Sequence, residues 1–185
     1  HRGPLERMIM METKDTYEKG LKITGAPSLD ELHASPCYQL PPKERRALAA
    51  VIECIEGIPC NPCETSCPVG AITVGDEITN LPVVDFEKCT GCGICVAACP
   101  GLAIYLKKYE FKENLSYIAF PFEYLPLPPE GATVQMVDRY GEYVCDGTVL
   151  RVVKIKRMDR TTVVHVSYPN DYYERVVNMK RLPAS

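Results

Sequence analysis

The stretch Cys89-Thr-Gly-Cys92-Gly-Ile-Cys95-Val-Ala-Ala-Cys99-Pro100 spaces its thiols as C-x2-C-x2-C-x3-C and closes on proline. Three thiolates within seven residues, on a loop that curls round a cube of iron and sulfide, can each reach a different iron. The fourth is expected to open a helix and to point away from that cube, toward a neighbouring one. Pro100 suits the first turn of such a helix, where its missing N–H would be unpaired anyway. Gly91 and Gly93 let the backbone approach the sulfurs and donate N–H groups to them.

An offset copy precedes this stretch. Cys60-Asn-Pro-Cys63-Glu-Thr-Ser-Cys67-Pro68 parallels Cys92 to Pro100 at a constant offset of 32 residues, and the parallel continues through Ala71-Ile-Thr-Val74 against Ala103-Ile-Tyr-Leu106. The place of Cys89 is taken by Gly57, which cannot bind metal, while Cys54 stands three residues earlier. Across residues 51–106 the chain resembles the two-cluster bacterial ferredoxins, in which the fourth cysteine of each run serves the other run's cluster. The resemblance implies one [4Fe-4S] cluster on Cys89, Cys92, Cys95 and Cys67. It implies a second on Cys60, Cys63 and Cys99, with Cys54 as fourth ligand. The gap after Cys54 is longer than the family's usual run. A zinc protein is the competing metal reading, against which the two C-x2-C-x3-C-P runs speak.

Composition is that of a globular protein, with 46% hydrophobic and 24% charged residues in 185. No run of apolar residues is long enough to span a bilayer, and no secretory leader is evident. Eight of ten cysteines at ligand spacing argue for metal thiolates in a reducing compartment, so the cytoplasm is expected. Charge is uneven. Residues 51–106 hold seven acids and one base, Lys88, whereas the whole chain is −3. Such an acidic face either steers a basic redox partner or keeps a small domain soluble.

The expected fold class is α+β: a ferredoxin-like two-cluster core with a pseudo-twofold repeat, followed by a small all-β barrel of the SH3-like kind. The divisions are residues 1–49 as an N-terminal extension, 50–108 as the core, 109–131 as a proline- and aromatic-rich connector, and 132–185 as the barrel. In the extension, Met8, Met10 and Met11 offer plausible starts. Ser28-Leu-Asp-Glu31 is a capping box for a helix over 29–34, and Pro42 precedes a second helix through Ala50. His33 and Cys37 have no further ligand nearby and are expected to pack. In the core, Ala50–Cys54, Ala71–Val74, Leu81–Phe86 and Ala103–Leu106 read as strands. In the barrel, Thr133–Asp138, Gly147–Ile155, Thr161–Ser167 and Tyr173–Met179 read as strands, parted by turns that include Asp146-Gly147 and Arg157-Met-Asp159. His165 is expected to face solvent, and Cys145 to be a structural thiol.

Two functions are weighed. The first is a non-catalytic electron-transfer subunit of a larger oxidoreductase, because an extension and an added barrel exceed what a free shuttle needs. Ile52-Glu-Cys-Ile-Glu-Gly-Ile-Pro-Cys-Asn-Pro-Cys-Glu-Thr-Ser-Cys67-Pro and Phe120-Pro-Phe-Glu-Tyr-Leu-Pro-Leu-Pro are similar to the ferredoxin-like subunits of flavin-dependent amino-acid and amine dehydrogenases. That resemblance implies partner subunits carrying FAD or FMN, a [2Fe-2S] protein among them, and a proline-like substrate. The second is a free ferredoxin or a structural iron–sulfur protein bound to nucleic acid. Arg151, Lys154, Lys156, Arg157 and Arg160 form a basic run, yet residues 107–185 hold twelve bases against ten acids, far from a nucleic-acid footprint. A protein-docking module is therefore preferred, and nucleic acid is an unlikely partner.

Overall fold

A computed structural model describes residues 19–154 and 161–183. The suggested start methionines, and Lys156, Arg157 and Arg160 of the basic run, lie outside the described residues. Two short helices lead in, α1 (Leu21–Thr24) and α2 (Leu29–His33). The capping box is present: Ser28 Oγ accepts from the Glu31 N–H, and the Glu31 carboxylate accepts from the Ser28 N–H. The second expected helix, through Ala50, does not form. Strand β1 (Ala49–Ile52) claims its end, and Arg45 is drawn sideways onto backbone carbonyls near residues 86–89.

The core that follows is built twice. Strand β1 pairs antiparallel with β4 (Ile104–Lys112), and β2 (Ile72–Thr73) pairs antiparallel with β3 (Val83–Val84). The registers are Ile52↔Ile104 and Val51↔Tyr105 in one ladder, Val84↔Ile72 and Val83↔Thr73 in the other. The offset of the sequence copy maps each pair onto its counterpart. Backbone bonds follow it too: Glu53 N–H to Ala103 O at 2.9 Å, and Asp85 N–H to Ala71 O at 2.8 Å. Between the strands lie α3 (Pro62–Thr65) and α4 (Ile94–Ala98), again at corresponding positions. Cys99 does not open a helix as expected; it closes α4, and Pro100 prevents the helix from continuing.

Beyond Leu106 the chain stays in the same sheet. Strand β4 passes a bulge between Lys108 and Lys112, and β5 (Leu115–Pro121) folds back on it. The sheet continues through β8 (Thr162–Pro169), β7 (Tyr143–Lys154), β6 (Thr133–Val137) and β9 (Asn178–Met179), in the order β1-β4-β5-β8-β7-β6-β9. The stretch read as a connector thus supplies a central strand. Its prolines hid an alternation: Ile118 and Phe120 enter one apolar cluster, Tyr117 and Ala119 the other. His165 lies in a strand covered on both faces and is 5% exposed, not solvent-facing. Asp146-Gly147 is no turn but lies within β7, where a Cβ on Gly147 would meet Val166 Cγ1 at 2.6 Å. Of the last expected strand, Tyr173–Met179, only Asn178–Met179 pairs, because the turn begun by the 3-10 helix Asn170–Tyr172 continues through Arg175. Among the described residues no helix is long and apolar enough to cross a membrane.

A buried polar network ties the ends to the core. Arg139 donates to both oxygens of Glu53 at 3.0 and 2.5 Å, and Tyr38 and Tyr105 add their hydroxyls to the same group. Fully buried Lys107 donates to the carbonyls of Tyr173, at 2.5 Å, and Glu174, at 3.3 Å. Burial first, then Arg139, pulls its ammonium down to about 7.

Leu102 and Gly70 occupy corresponding places with φ of 53° and 59°, and each N–H bonds the carbonyl of the cysteine three residues back. A side chain there costs about 1 kcal/mol, so Leu102→Gly is expected to raise the unfolding free energy by about that amount and Gly70→Leu to lower it. Denaturant titration checks both. For Lys107, the unfolded chain holds the proton between about pH 7 and the ordinary lysine value of about 10.4, and the folded chain does not. Its contribution to stability therefore rises with pH across that window. The midpoint of wild type should climb relative to Lys107→Met over the same range, and parallel curves would contradict a buried neutral lysine.

Candidate metal centres

The loop after β3 is shaped by its backbone. Asp85 Oδ1 accepts from the Glu87 N–H at 2.9 Å and the Asp85 carbonyl from the Cys89 N–H at 3.0 Å, which turns the chain into Cys89. Gly91 has φ +68°, and a Cβ on it would sit 2.5 Å from the Leu48 carbonyl oxygen, so only glycine fits. Arg45, from the segment read as a helix, donates its guanidinium to Phe86 O at 2.5 Å and to Cys89 O. Proline punctuation suggested a helix there, and nothing in the sequence marked Arg45 as the clamp on this loop.

Cys89, Cys92 and Cys95 line one recess together with Cys67, which arrives from the other copy. Cys54, Cys60 and Cys63 line a second recess with Cys99, among Ile52, Ile58 and Ile104. Each crossing cysteine is held alike: Cys67 Sγ accepts from the Ala71 N–H at 3.2 Å, and Cys99 Sγ from the Ala103 N–H at 3.4 Å. All eight cysteines singled out from the sequence are therefore placed around two recesses, four to each. Cys37 is a further thiol behind the second recess, its Sγ donating to the Cys54 carbonyl at 2.8 Å. His33 turns instead to Glu174, at 2.5 Å, and Cys145 is buried in the sheet.

The electrostatics fit a cationic guest. Burial, then the neighbouring thiols Cys89, Cys92 and Cys67, pushes Cys95 up to about 12. Burial, chiefly, pushes Cys63 up to about 11, and burial followed by Cys37 and Cys99 raises Cys54. Cys67 runs the other way, because N–H groups of Ala71, Val69, Ile72 and Gly70 together outweigh the burial that would raise it. Clustered, half-dry thiols become thiolates only against a strong positive charge, such as iron supplies. Among the described residues no group of three or more His, Cys, Asp or Glu side chains could hold a single metal ion.

Residues 82–105 match the model of the 4Fe-4S binding domain. Over 50 residues the chain is 50% identical to a subunit of the ion-translocating oxidoreductase complex of Methanosarcina acetivorans, covering 27% of this chain and 18% of that one. It is 45% identical over 60 residues to an uncharacterized ferredoxin of Methanocaldococcus jannaschii, covering 29% and 38%. It is 54% identical over 43 residues to the polyferredoxin-like subunit of the aliphatic sulfonate oxidoreductase of Pyrococcus furiosus, covering 23% and 24%. The chain thus spans well under half the length of each of these relatives. No solved structure matches. The chain carries a ferredoxin-type 4Fe-4S domain at residues 82–105, a stretch that includes Cys89, Cys92, Cys95 and Cys99.

The Gly91 contact yields a test. Gly91→Ala is expected to displace Leu48 or the cluster loop and to lower bound iron, sulfide and visible absorbance of the purified protein. Gly101→Ala, where a Cβ meets nothing within 4 Å, should leave all three unchanged.

Proposed function

We propose that the chain is an electron-relay subunit of a larger oxidoreductase. It holds two [4Fe-4S] clusters, one on Cys54, Cys60, Cys63 and Cys99 and the other on Cys67, Cys89, Cys92 and Cys95. Single electrons pass from one to the other. The observation that carries this reading is the exchange of Cys67 and Cys99 between recesses, which holds the two stations side by side. Support for a subunit rather than a free carrier comes from the relatives, two of which are named as subunits of oxidoreductases. The donor in this proposal is a flavin-containing dehydrogenase subunit acting on an amino acid or amine. Its FAD or FMN accepts two electrons as hydride, and the clusters drain them one at a time. A [2Fe-2S] protein is a further partner. Reducing surroundings, as in the cytoplasm, keep the thiolates available.

Within this reading residues 50–108 carry the electrons, and residues 132–185, with β6 to β9, act as a small SH3-like barrel that docks the partner. The break in β7 register between Val149 and Arg151, and a 3-10 turn before β9 returns to β6, are consistent with such a barrel.

Anaerobic copurification with chromosomally neighbouring gene products, followed by iron, sulfide and flavin analysis, tests the proposal. About eight iron per chain is expected from two cubes, together with a flavoprotein in fixed ratio. Cys63→Ser and Cys95→Ser should each remove about half of the iron, from different clusters. About four iron in wild type would overturn the two-cluster reading, and full loading without flavin would overturn the flavoprotein partner.

A further inference from the structure

Of the eight clustered cysteines only Cys92 is exposed; the others are half-buried or buried. It is flanked by Gly91 and Gly93, so neither neighbour on its own loop hides the sulfur. The sheet folds over beside it and leaves a cavity of about 170 Å³ walled by Gly91, Cys92, Gly93, Arg151, Val153 and His165. Leu106 lies at both this cavity and the Cys92 recess, so the two are separated by a single layer of side chains. The space is smaller than the roughly 300 Å³ at which cofactor and drug-sized sites begin. A partner's protruding side chains fit it better than a second cofactor.

The charge at the cavity itself is positive. Arg151 is exposed and is the charged residue in the cavity wall. It stands against the buried pair in which Tyr117 Oη meets His165 Nδ1 at 2.6 Å. Tyr117 packs on Phe111 at 5.0 Å between ring centroids, and Lys108 and Lys112 lie over that ring at 6.0 and 5.6 Å. Arg151 at the cavity and Lys108 and Lys112 over Phe111 thus place three basic groups along this side of the sheet, on a β4–β5 hairpin that also carries Glu110 and Glu113. The other recess has an acid nearby: Glu56 lines both it and an adjoining 420 Å³ cavity, in which Glu53 is paired with Arg139.

We propose that the Arg151, Lys108 and Lys112 face around Cys92 docks an acidic one-electron carrier protein, so that electrons cross the surface at the Cys92 sulfur. The inference rests on the electron-relay reading and deepens it. One electron leaves the reduced [4Fe-4S] cluster, which is oxidised by one, and reduces the carrier's oxidised centre by one; no atom or proton need move. Surface charges of opposite sign raise the encounter rate and lose that effect in salt.

The test mixes the full chain, dithionite-reduced and with its clusters in place, with an acidic [2Fe-2S] ferredoxin in an anaerobic stopped-flow instrument. Basic cytochrome c is the comparison acceptor. The second-order rate constant for the acidic carrier should fall about tenfold in the Lys108→Glu, Arg151→Glu double variant and with rising salt. The rate to cytochrome c should stay level or rise, and iron content and the cluster spectrum should not change. Equal rates of wild type and variant toward the acidic carrier, or a salt-independent rate, would overturn the docking face while leaving the relay intact. A chain with no reducible cluster would overturn both.

Discussion

The antiparallel ladder between β1 and β4 is the constraint from which the rest of the structure follows. Its last pair, Ile52↔Ile104, sets the strand that leaves toward Cys54 against the strand that arrives from Cys99. The bond from Glu53 N–H to Ala103 O extends the ladder by one step, and Ala103 in turn donates its N–H to Cys99 Sγ. Backbone pairing therefore fixes where two thiols from opposite ends of the core can stand. The β2–β3 ladder does the same for Cys67 through the Asp85-to-Ala71 bond. Neither ladder could do this alone, because a two-stranded ladder is marginally stable in water.

That weakness accounts for the remainder of the sheet. A core of fewer than about 70 residues rarely buries enough apolar surface to hold itself, and thiol-lined recesses deprive it of packed atoms where a hydrophobic centre would lie. Here β4 is continued to Lys112, β5 is laid beside it and β8 beside β5, so β5 and β8 are buried on both faces. One face, with Ile52, Ile104, Leu106, Ala119 and Val163, backs the recesses; the other, with Val51, Tyr105, Ile118, Phe120 and Val164, packs beneath α2 and the C-terminal strands. The ion pair of Arg139 and Glu53 crosses from the second group of elements to the residue before Cys54. Breaking such a pair on one side leaves a buried charge, at a cost of about 3–5 kcal/mol. Rigidity at Cys54 is thus borrowed from a residue far along the sequence.

How much of this is legible from sequence alone depends on how local the physics is. Thiol spacing is local, so the eight cysteines and the repeat between them could be read directly, as could the capping box at Ser28. Strand ends were less secure, since β2 and β3 are only two residues long and are held by the loops they join. The connector was misread because Pro121, Pro126, Pro128 and Pro129 outweigh the buried alternation of Ser116 to Phe120 in any reading of turn signals. Gly147 imitates a turn for a different reason: it is there to let β8 and Met136 approach, a demand that exists only once the sheet is assembled. Arg45, Cys37 and the Tyr117–His165 pair were invisible because their partners lie on segments distant in sequence.

The two recesses are alike in backbone and unlike in charge, and that difference bears on how a relay through them would run. Pro62 stands at the start of α3 where Ile94 stands in α4, and so withholds one N–H from the Cys54 recess. Glu56 lines that recess, and a carboxylate beside a cluster disfavours the added electron. Around the Cys92 recess the guanidinium of Arg45 rests on the Cys89 carbonyl, and Arg151 stands across the neighbouring cavity. Positive charge there favours the reduced state, half-buried Arg45 more than exposed Arg151, which solvent and salt screen. In the proposed relay an electron therefore finds the Cys54 recess the less comfortable station and the Cys92 recess the more comfortable one. Of these charges Arg151 also faces outward, so in the proposed relay one residue would bear both on the gradient inside the chain and on the partner met at the Cys92 end.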